Sequence, residues 1–328
     1  MQTQRIEISA KTIVFIVLFL LSLGFLWVIR ELLFSLFIAY ILVSALKPPV
    51  KVIENKGIPR IIATSIVYLV FLFLIFNIFA IIIPPLLGEV THLVSMLPLI
   101  LKNVRTILPI SFDANFLSQY VPNATTQLLD VVRGFFSNAF FVLSTLVIGF
   151  YLLLEENAIK KILLKFFEEK EIKHVLSIFE KAEKRMNGWF WGEIFLMTVI
   201  GTMTFIGLNL IGMKYALALA VLAGLLEVVP NIGPIVSLIP AFLIGISESY
   251  FLGISNIALY FIIQQFENHL IVPLVMKRAV GLSPLITLIG LIIGGKLAGV
   301  MGVLLAVPII LFIETVLLEF VKEKHPTV

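Results

Sequence analysis

The chain has 328 residues, 60% of them hydrophobic and 13% charged, with a formal net charge of +4 and a mean hydropathy of +1.11. Soluble domains carry about 45–50% apolar and about 25% charged residues, so the composition excludes an ordinary water-soluble globule. The absence of cysteine excludes disulfides, thiolate nucleophiles and cysteine-held metals.

Uncharged runs cover 12–29, 61–88, 134–154, 194–213, 228–247 and 249–266. A spanning helix needs roughly 20 mostly apolar residues. The runs therefore predict an all-α polytopic membrane protein, and the short alternating segments of a β-barrel are missing. The first run ends in Trp27-Val28-Ile29-Arg30 rather than in small residues, which reads as a retained span and not a cleaved leader. Spans are expected near 12–29, 32–46, 61–84 and 134–154, forming an N-terminal scaffold region over 1–154. Residues 85–133 are expected outside the cytoplasm. They are punctuated by prolines from Pro84 and Pro85 through Pro98 and Pro109 to Pro122. Apolar stretches there, such as 93–104, predict helices lying on the membrane or under neighbouring subunits, or a packed extracellular cap. Residues 155–188 hold eight basic and seven acidic residues. Glu156/Lys160, Glu169/Lys173 and Glu180/Lys184 are spaced for i,i+4 pairing, which predicts a solvated cytoplasmic helix pair. Residues 189–328 form the expected transport region.

Lys and Arg gather on the cytoplasmic side of short loops. The clusters at 5–11, 47–60, 160–185, 277–278 and 322–324 are placed inside, so both termini are cytoplasmic. Span 194–213 then ends outside at Lys214, and span 249–272 starts outside. Residues 215–247 must leave from and return to the same side. Their first arm, 215–229, is about 22 Å long at 1.5 Å per residue, short of the ~30 Å core. A re-entrant helical hairpin is expected, with its tip at Pro230-Asn231-Ile232-Gly233-Pro234. Irregular backbone at that depth is tolerated only against protein or a water-filled cavity. A second hairpin is expected over 279–313, turning at Gly294-Gly295. Two full spans with Lys296 outside are the alternative. At an offset of 66 residues, LAGLL (222–226) lies over LIGLI (288–292), and Gly233 over Gly299. Each hairpin follows a full span, and the two spans run in opposite directions. That is the pattern of an inverted-topology repeat with a midplane site at broken helices.

Acidic and amide side chains in apolar runs mark the candidate site. Glu227 would carry a proton or cation, or accept hydrogen bonds from substrate hydroxyls. The plainer reading is a paired glutamate that holds the hairpin. A charge at the bilayer centre costs about 2.5–3.5 kcal/mol on insertion scales, so such a residue faces a cavity or a partner. Asn231 would bind substrate or cap a half-helix. Gln264 and Asn268 share a helix face, with Glu267 and His269 beside them. Gly233, Gly294 and Gly295 would permit close packing at the tips. Lys296 follows Gly290 and Gly295 at phosphate-loop spacing, but Leu297 replaces the required Ser or Thr and there is no strand context, so nucleotide binding is excluded. Glu193, following NGWFWG (187–192), is expected at the membrane interface, with its tryptophans in an aromatic belt. No nucleophile–base or His-Glu-x-x-His constellation is visible, so an enzyme is not expected, and neither is a metal site or a cofactor beyond a coupling proton or sodium ion. The expected partners are membrane lipid and a small-molecule or cation substrate, not nucleic acid.

The stretches EVVPNIGPIVSLIPA (227–241) and ENHLIVPLVMKRAVGLSPLITLIGLIIGGKLAGVMGVLLAVPI (267–309) closely resemble the autoinducer-2 exporter family of bacterial and archaeal membrane proteins. LKPPVKVIENKGIPRIIA (46–63) is similar to that family's cytoplasmic loop. The proline-glycine tip motif falls on Pro230, Gly233 and Pro234. A later motif falls on Asn268, Pro273, Gly281, Pro284, Gly294, Gly295, Gly299 and Pro308. The resemblance covers essentially the whole chain. It implies a cytoplasmic-membrane permease of about eight membrane segments, a homopentamer, and an elevator-like moving unit containing the hairpins. It also implies export of a furanone-type signal or, in other members, sodium(lithium)/proton exchange. The expectation is thus a secondary transporter exporting a small polar solute such as autoinducer-2 by alternating access. The alternatives are a sodium/proton antiporter using Glu227 or Glu267, and a membrane scaffold without transport.

Overall fold

A computed structural model describes residues 10–107, 139–155, 158–230, 232–276 and 281–324. Among them the regular structure is helical throughout. The helices are α1 (Ala10–Val28), α2 (Arg30–Glu54), α3 (Arg60–Ile107), α4 (Ala139–Leu154), α5 (Ala158–Leu163), α6 (Glu169–Leu210), α7 (Ala216–Leu226), α8 (Ile232–Glu248), α9 (Tyr250–Phe266), α10 (Val272–Met276) and α11 (Pro284–Lys324). A π-helical turn, Glu267–Ile271, joins α9 to α10 without a break. Five stretches are long and apolar enough to cross a membrane: Lys11–Val28, Arg30–Glu54, Arg60–Glu89, Ile172–Leu210 and Leu285–Glu319. Exposed Phe, Leu and Ile cover the outside of α1, α3 and α9. Apolar solvent suits such faces, because lipid tails solvate them as well as another helix would. The chain is a multi-pass membrane protein.

Two boundaries differ from the expected ones. Residues 85–107 do not form separate membrane-lying helices. They continue α3 through Pro84, Pro85 and Pro98 as one 48-residue helix. The rest of the expected outer segment, 108–133, lies outside the described residues. The charged block also does not end in a loop: α6 runs 42 residues from Glu169 into the apolar sequence. At 1.5 Å per residue it is about 63 Å long, twice the hydrocarbon core, so its charged half projects from the membrane.

Two packed groups meet on α6. In the first, Leu46 and Val50 of α2 pack with Ala63, Val67 and Tyr68 of α3 and Leu153 of α4. Arg60 closes the end of α4: its Nη2 donates to the Leu153 carbonyl (2.8 Å) and its Nε to the Leu154 carbonyl (2.9 Å). The second surrounds α7 and α8 with Leu208, Met213, Leu219, Ala223, Ala241, Ile244 and Tyr260. Between them, Ile41, Met186, Trp189, Leu305 and Leu311 join α2, α6 and α11. Trp189 is therefore a core residue and not part of an aromatic belt.

Both hairpins are present as chain reversals. In the first, α7 and α8 pack antiparallel, and their mouth is tied by Lys214–Glu248 (3.3 Å). Tyr215 turns the chain into α7 with φ of 59°. Glu89 on α3 accepts from the Ala218 backbone N–H (2.7 Å), satisfying a first-turn donor. α7 lies close on α6, where a Cβ at Gly224 would sit 2.8 Å from the Met197 carbonyl oxygen. The second reversal lies within α11 at Ala298 (φ −141°, ψ 17°) and Gly299 (φ 57°, ψ −137°), one helical turn later than the expected Gly294-Gly295. Gly294 and Gly295 lie on the first arm instead. A Cβ on Gly294 would meet the Gly302 carbonyl oxygen at 2.3 Å, so the two glycines let the arms touch. The positive φ at Gly299 explains why the turn falls there.

Candidate functional site

Glu227 ends α7 at its C-cap. The turn behind it is tight: Val229 N–H donates to the Leu226 carbonyl (3.0 Å), Ile232 N–H to the Pro230 carbonyl (2.8 Å) and Gly233 N–H to the Val229 carbonyl (2.9 Å). Glycine is required at 233 because a Cβ there would lie 2.0 Å from the Leu226 carbonyl oxygen. The turn holds the Glu227 carboxyl inward, only 3% exposed.

Glu267 opens the π-turn and is equally buried. A π-turn adds a residue to the helical circuit and re-aims the side chains around it, and such turns gather at functional sites. Gln264, one turn earlier and half-buried, donates from Nε2 to Glu267 Oε2 (3.0 Å). The Glu227 carboxyl lies beside that of Glu267, and Glu193 on α6 is near enough to interact with it. Glu193 is 6% exposed and is turned into the protein, although its neighbour Trp191 is exposed.

Three acids from three elements thus converge beside a hairpin turn. No lysine or arginine pairs with them among the described residues. Oε1 of Glu193, Oε2 of Glu227 and Oγ1 of Thr204 are buried without a protein hydrogen-bond partner. Glu267 lines a small cavity of about 10 Å³ together with Thr204, Pro234, Ser237, Tyr260 and Gln264 among others. That is the lower bound for one water molecule. Neighbouring carboxylates in low dielectric repel strongly and cannot all stay charged. The arrangement can accept and release a proton. The described residues form no His/Asp/Glu group able to hold a metal ion.

Of the expected site residues, Glu227, Gln264 and Glu267 come together, and Pro234 lines the cavity. Pro230 and Gly233 build the turn. Asn268 and Lys296 are exposed. Asn231 lies outside the described residues. Sequence reasoning missed Glu193, Thr204, Ser237 and Tyr260. Only Glu193 carried a signal, a charge at the start of an apolar run.

Long apolar helices, two chain reversals and a buried acid cluster at a helix break describe a helical membrane protein. The family described as "AI-2E family transporter" matches residues 13–322, and the chain belongs to that family. It is similar to "Putative transport protein YueF" of Bacillus subtilis, 27% identical over 316 residues that cover 90% of this chain and 85% of that protein. It is also similar to "Putative permease PerM" of Escherichia coli K12, at 25% identity over 334 residues that cover 94% and 92% of the two chains. A third relative, "Putative transport protein YhhT" of the same strain, is 27% identical over 301 residues, 86% of this chain and 82% of that one.

Proposed function

We propose that the protein is a secondary transporter that exports a small polar solute by alternating access, with a proton or monovalent cation in the acid cluster as the coupling species. The observation that carries this reading is the meeting of Glu193, Glu227 and Glu267 at the turn of the first hairpin, buried and without a basic partner among the described residues. A purely structural cluster of like charges costs stability with no return. A site that is filled and emptied during a cycle needs them. The hairpins are re-entrant in this reading. α8 is about 25 Å long, so the turn sits well inside the membrane without crossing it. The hairpins would gate the site from either side and move as one unit against α2–α4, in a homopentamer within the cytoplasmic membrane. Autoinducer-2 is the substrate that the family's description favours. Exchange of sodium for protons is the second reading, and the same three carboxyls favour it.

Proteoliposomes test both. Wild type and Glu227→Gln are loaded with labelled autoinducer-2, and internal pH is followed during a sodium pulse. Solute efflux that speeds with an imposed proton or sodium gradient, and loses that dependence in the variant, supports the coupled exporter. Sodium-driven proton movement without solute flux selects the exchanger. Uncoupled efflux unchanged by the substitution overturns the role given to the cluster.

A further inference from the structure

The return arm of the second reversal meets α6 at the end that charge placement puts on the cytoplasmic side. Next to the apolar contact of Met186 and Trp189 with Leu305 and Leu311, α6 carries charges of alternating sign at Lys181, Glu183 and Arg185. With 3.6 residues per turn, Lys181 and Arg185 share a face and Glu183 points away from it. Glu183 holds Lys47 of α2 at 2.7 Å. Lys181 and Arg185 pair with Glu319 and Glu314 of α11. Arg185 Nη1 also donates to the Thr315 hydroxyl at 3.0 Å. The two sides of α6 are built differently. Toward α2, Asn187 and Trp191 donate to the Ser44 and Ala45 carbonyls, and the Tyr40 hydroxyl donates to the Phe179 carbonyl. Such acceptors are fixed in a helix backbone and cannot swing away. Toward α11, these contacts join the ends of side chains. The side chain of Lys181 is 53% exposed and that of Glu314 31%. Ion pairs so open to water are weak and are screened by salt. When Arg185 leaves, the buried Thr315 hydroxyl keeps its bond to the Leu311 carbonyl (2.7 Å), so parting strands no polar group there.

We propose that Lys181–Glu319 and Arg185–Glu314 form a cytoplasmic latch, which opens when the second hairpin shifts along α6 and closes when it returns. This rests on the alternating-access reading, in which a hairpin that gates the site must part from the helix that carries Glu193. α6 stays with the scaffold through its backbone-directed bonds to α2. The hairpin travels as one body, because its arms touch backbone to backbone at Gly294 and Gly302.

The chain has no cysteine, so thiol labels attach only where a cysteine is introduced. Lys184 on α6 and Leu318 on α11 are exposed positions beside the latch. The full chain with Lys184→Cys and Leu318→Cys, spin-labelled in liposomes, reads the separation of the two helices. Two separations are expected, the longer one rising about threefold or more at high salt and in Glu314→Gln/Glu319→Gln. Glu314→Gln alone serves if the double variant folds poorly, and the salt series needs no further substitution. The same cysteines, joined by a reducible crosslinker matched to the shorter separation, should stop efflux of labelled autoinducer-2 from proteoliposomes until reductant is added. A single separation that neither salt nor substitution changes overturns the latch, as does efflux that continues undiminished after crosslinking. Vesicles that move neither solute nor protons overturn the transport reading instead, and the spin-label separations still decide the latch.

Discussion

Asn187 donates from Nδ2 to the Ser44 carbonyl at 2.8 Å, across the contact between α6 and α2. Ser44 lies four residues before Pro48, and Ala45 four before Pro49. Both prolines sit inside α2 and lack the N–H that would close those helical bonds. Trp191 Nε1 takes up the Ala45 carbonyl at 3.2 Å. The double proline thus builds two acceptors that only a second helix can satisfy. This gives LKPPVK a physical role: it presents the docking point by which the scaffold holds α6.

Asn187→Ala should therefore cost more than a surface amide does. It strands a buried carbonyl, at about 1–3 kcal/mol. Pro48→Ala restores the helical N–H and lets Ser44 bond within its own helix. In that background the Asn187→Ala loss should shrink by half or more. Thermal unfolding of the four proteins in detergent gives the coupling directly. Additive losses would mean that Asn187 acts through packing and not through the freed carbonyl.

The hairpin turn makes a steric prediction. Gly233→Ala places a methyl 2.0 Å from the Leu226 carbonyl oxygen, and backbone on both sides leaves little room to yield. Overpacking of this kind costs about 1–3 kcal/mol or more. Folded yield by size-exclusion chromatography should fall sharply. Gly24→Ala is the control: nothing lies within 4 Å of the added carbon, and α1 gains helix propensity.

Glu89 links α3 to the mouth of the same hairpin through the Ala218 N–H. Glu89→Ala removes a cap on α7, worth about 0.5–2 kcal/mol. The nearby bond between His92 Nδ1 and the Tyr215 hydroxyl (2.7 Å) remains to hold the contact. Hydrogen exchange should rise at Ala216 to Ala218 while the amides of α9 stay protected. Unchanged exchange would show that α7 is held by packing alone.

Glu227 and Glu267 stood out in the sequence because a charge inside an apolar run has few explanations. The turn at Pro230–Gly233 was legible for a similar reason, since proline and glycine disturb helices in known ways. The inward turn of Glu193 is hidden in the sequence, because its neighbours Trp189 and Trp191 resemble an interface belt. Only the close approach of α7 to α6 at Gly224 shows which way the acid faces. Thr204, Ser237 and Tyr260 carry no pattern in a chain this apolar. The second turn was placed at Gly294-Gly295 because a glycine pair looks like a hinge. There the absence of a side chain serves helix contact, and the lone Gly299 makes the reversal. The prolines at 84, 85 and 98 suggested breaks, yet α3 passes through all of them.

The acid cluster predicts that stability and transport move in opposite directions. Glu227→Gln keeps the size of the side chain but removes an ionisable group from beside Glu193 and Glu267. Taking one acid out of a buried cluster that has no basic partner among the described residues should raise the unfolding midpoint, because such a cluster retained for function is a strained one. The same substitution should cut coupled flux tenfold or more, since the neutral amide no longer exchanges a proton or cation. Glu193→Gln should behave likewise, although its side chain lies on the spanning helix and not on the hairpin. Both readouts come from one preparation: unfolding in detergent, then flux after reconstitution. A variant that unfolds earlier and transports less would mark Glu227 as a structural anchor. One that is more stable and still fully coupled would remove the cluster from the transport path.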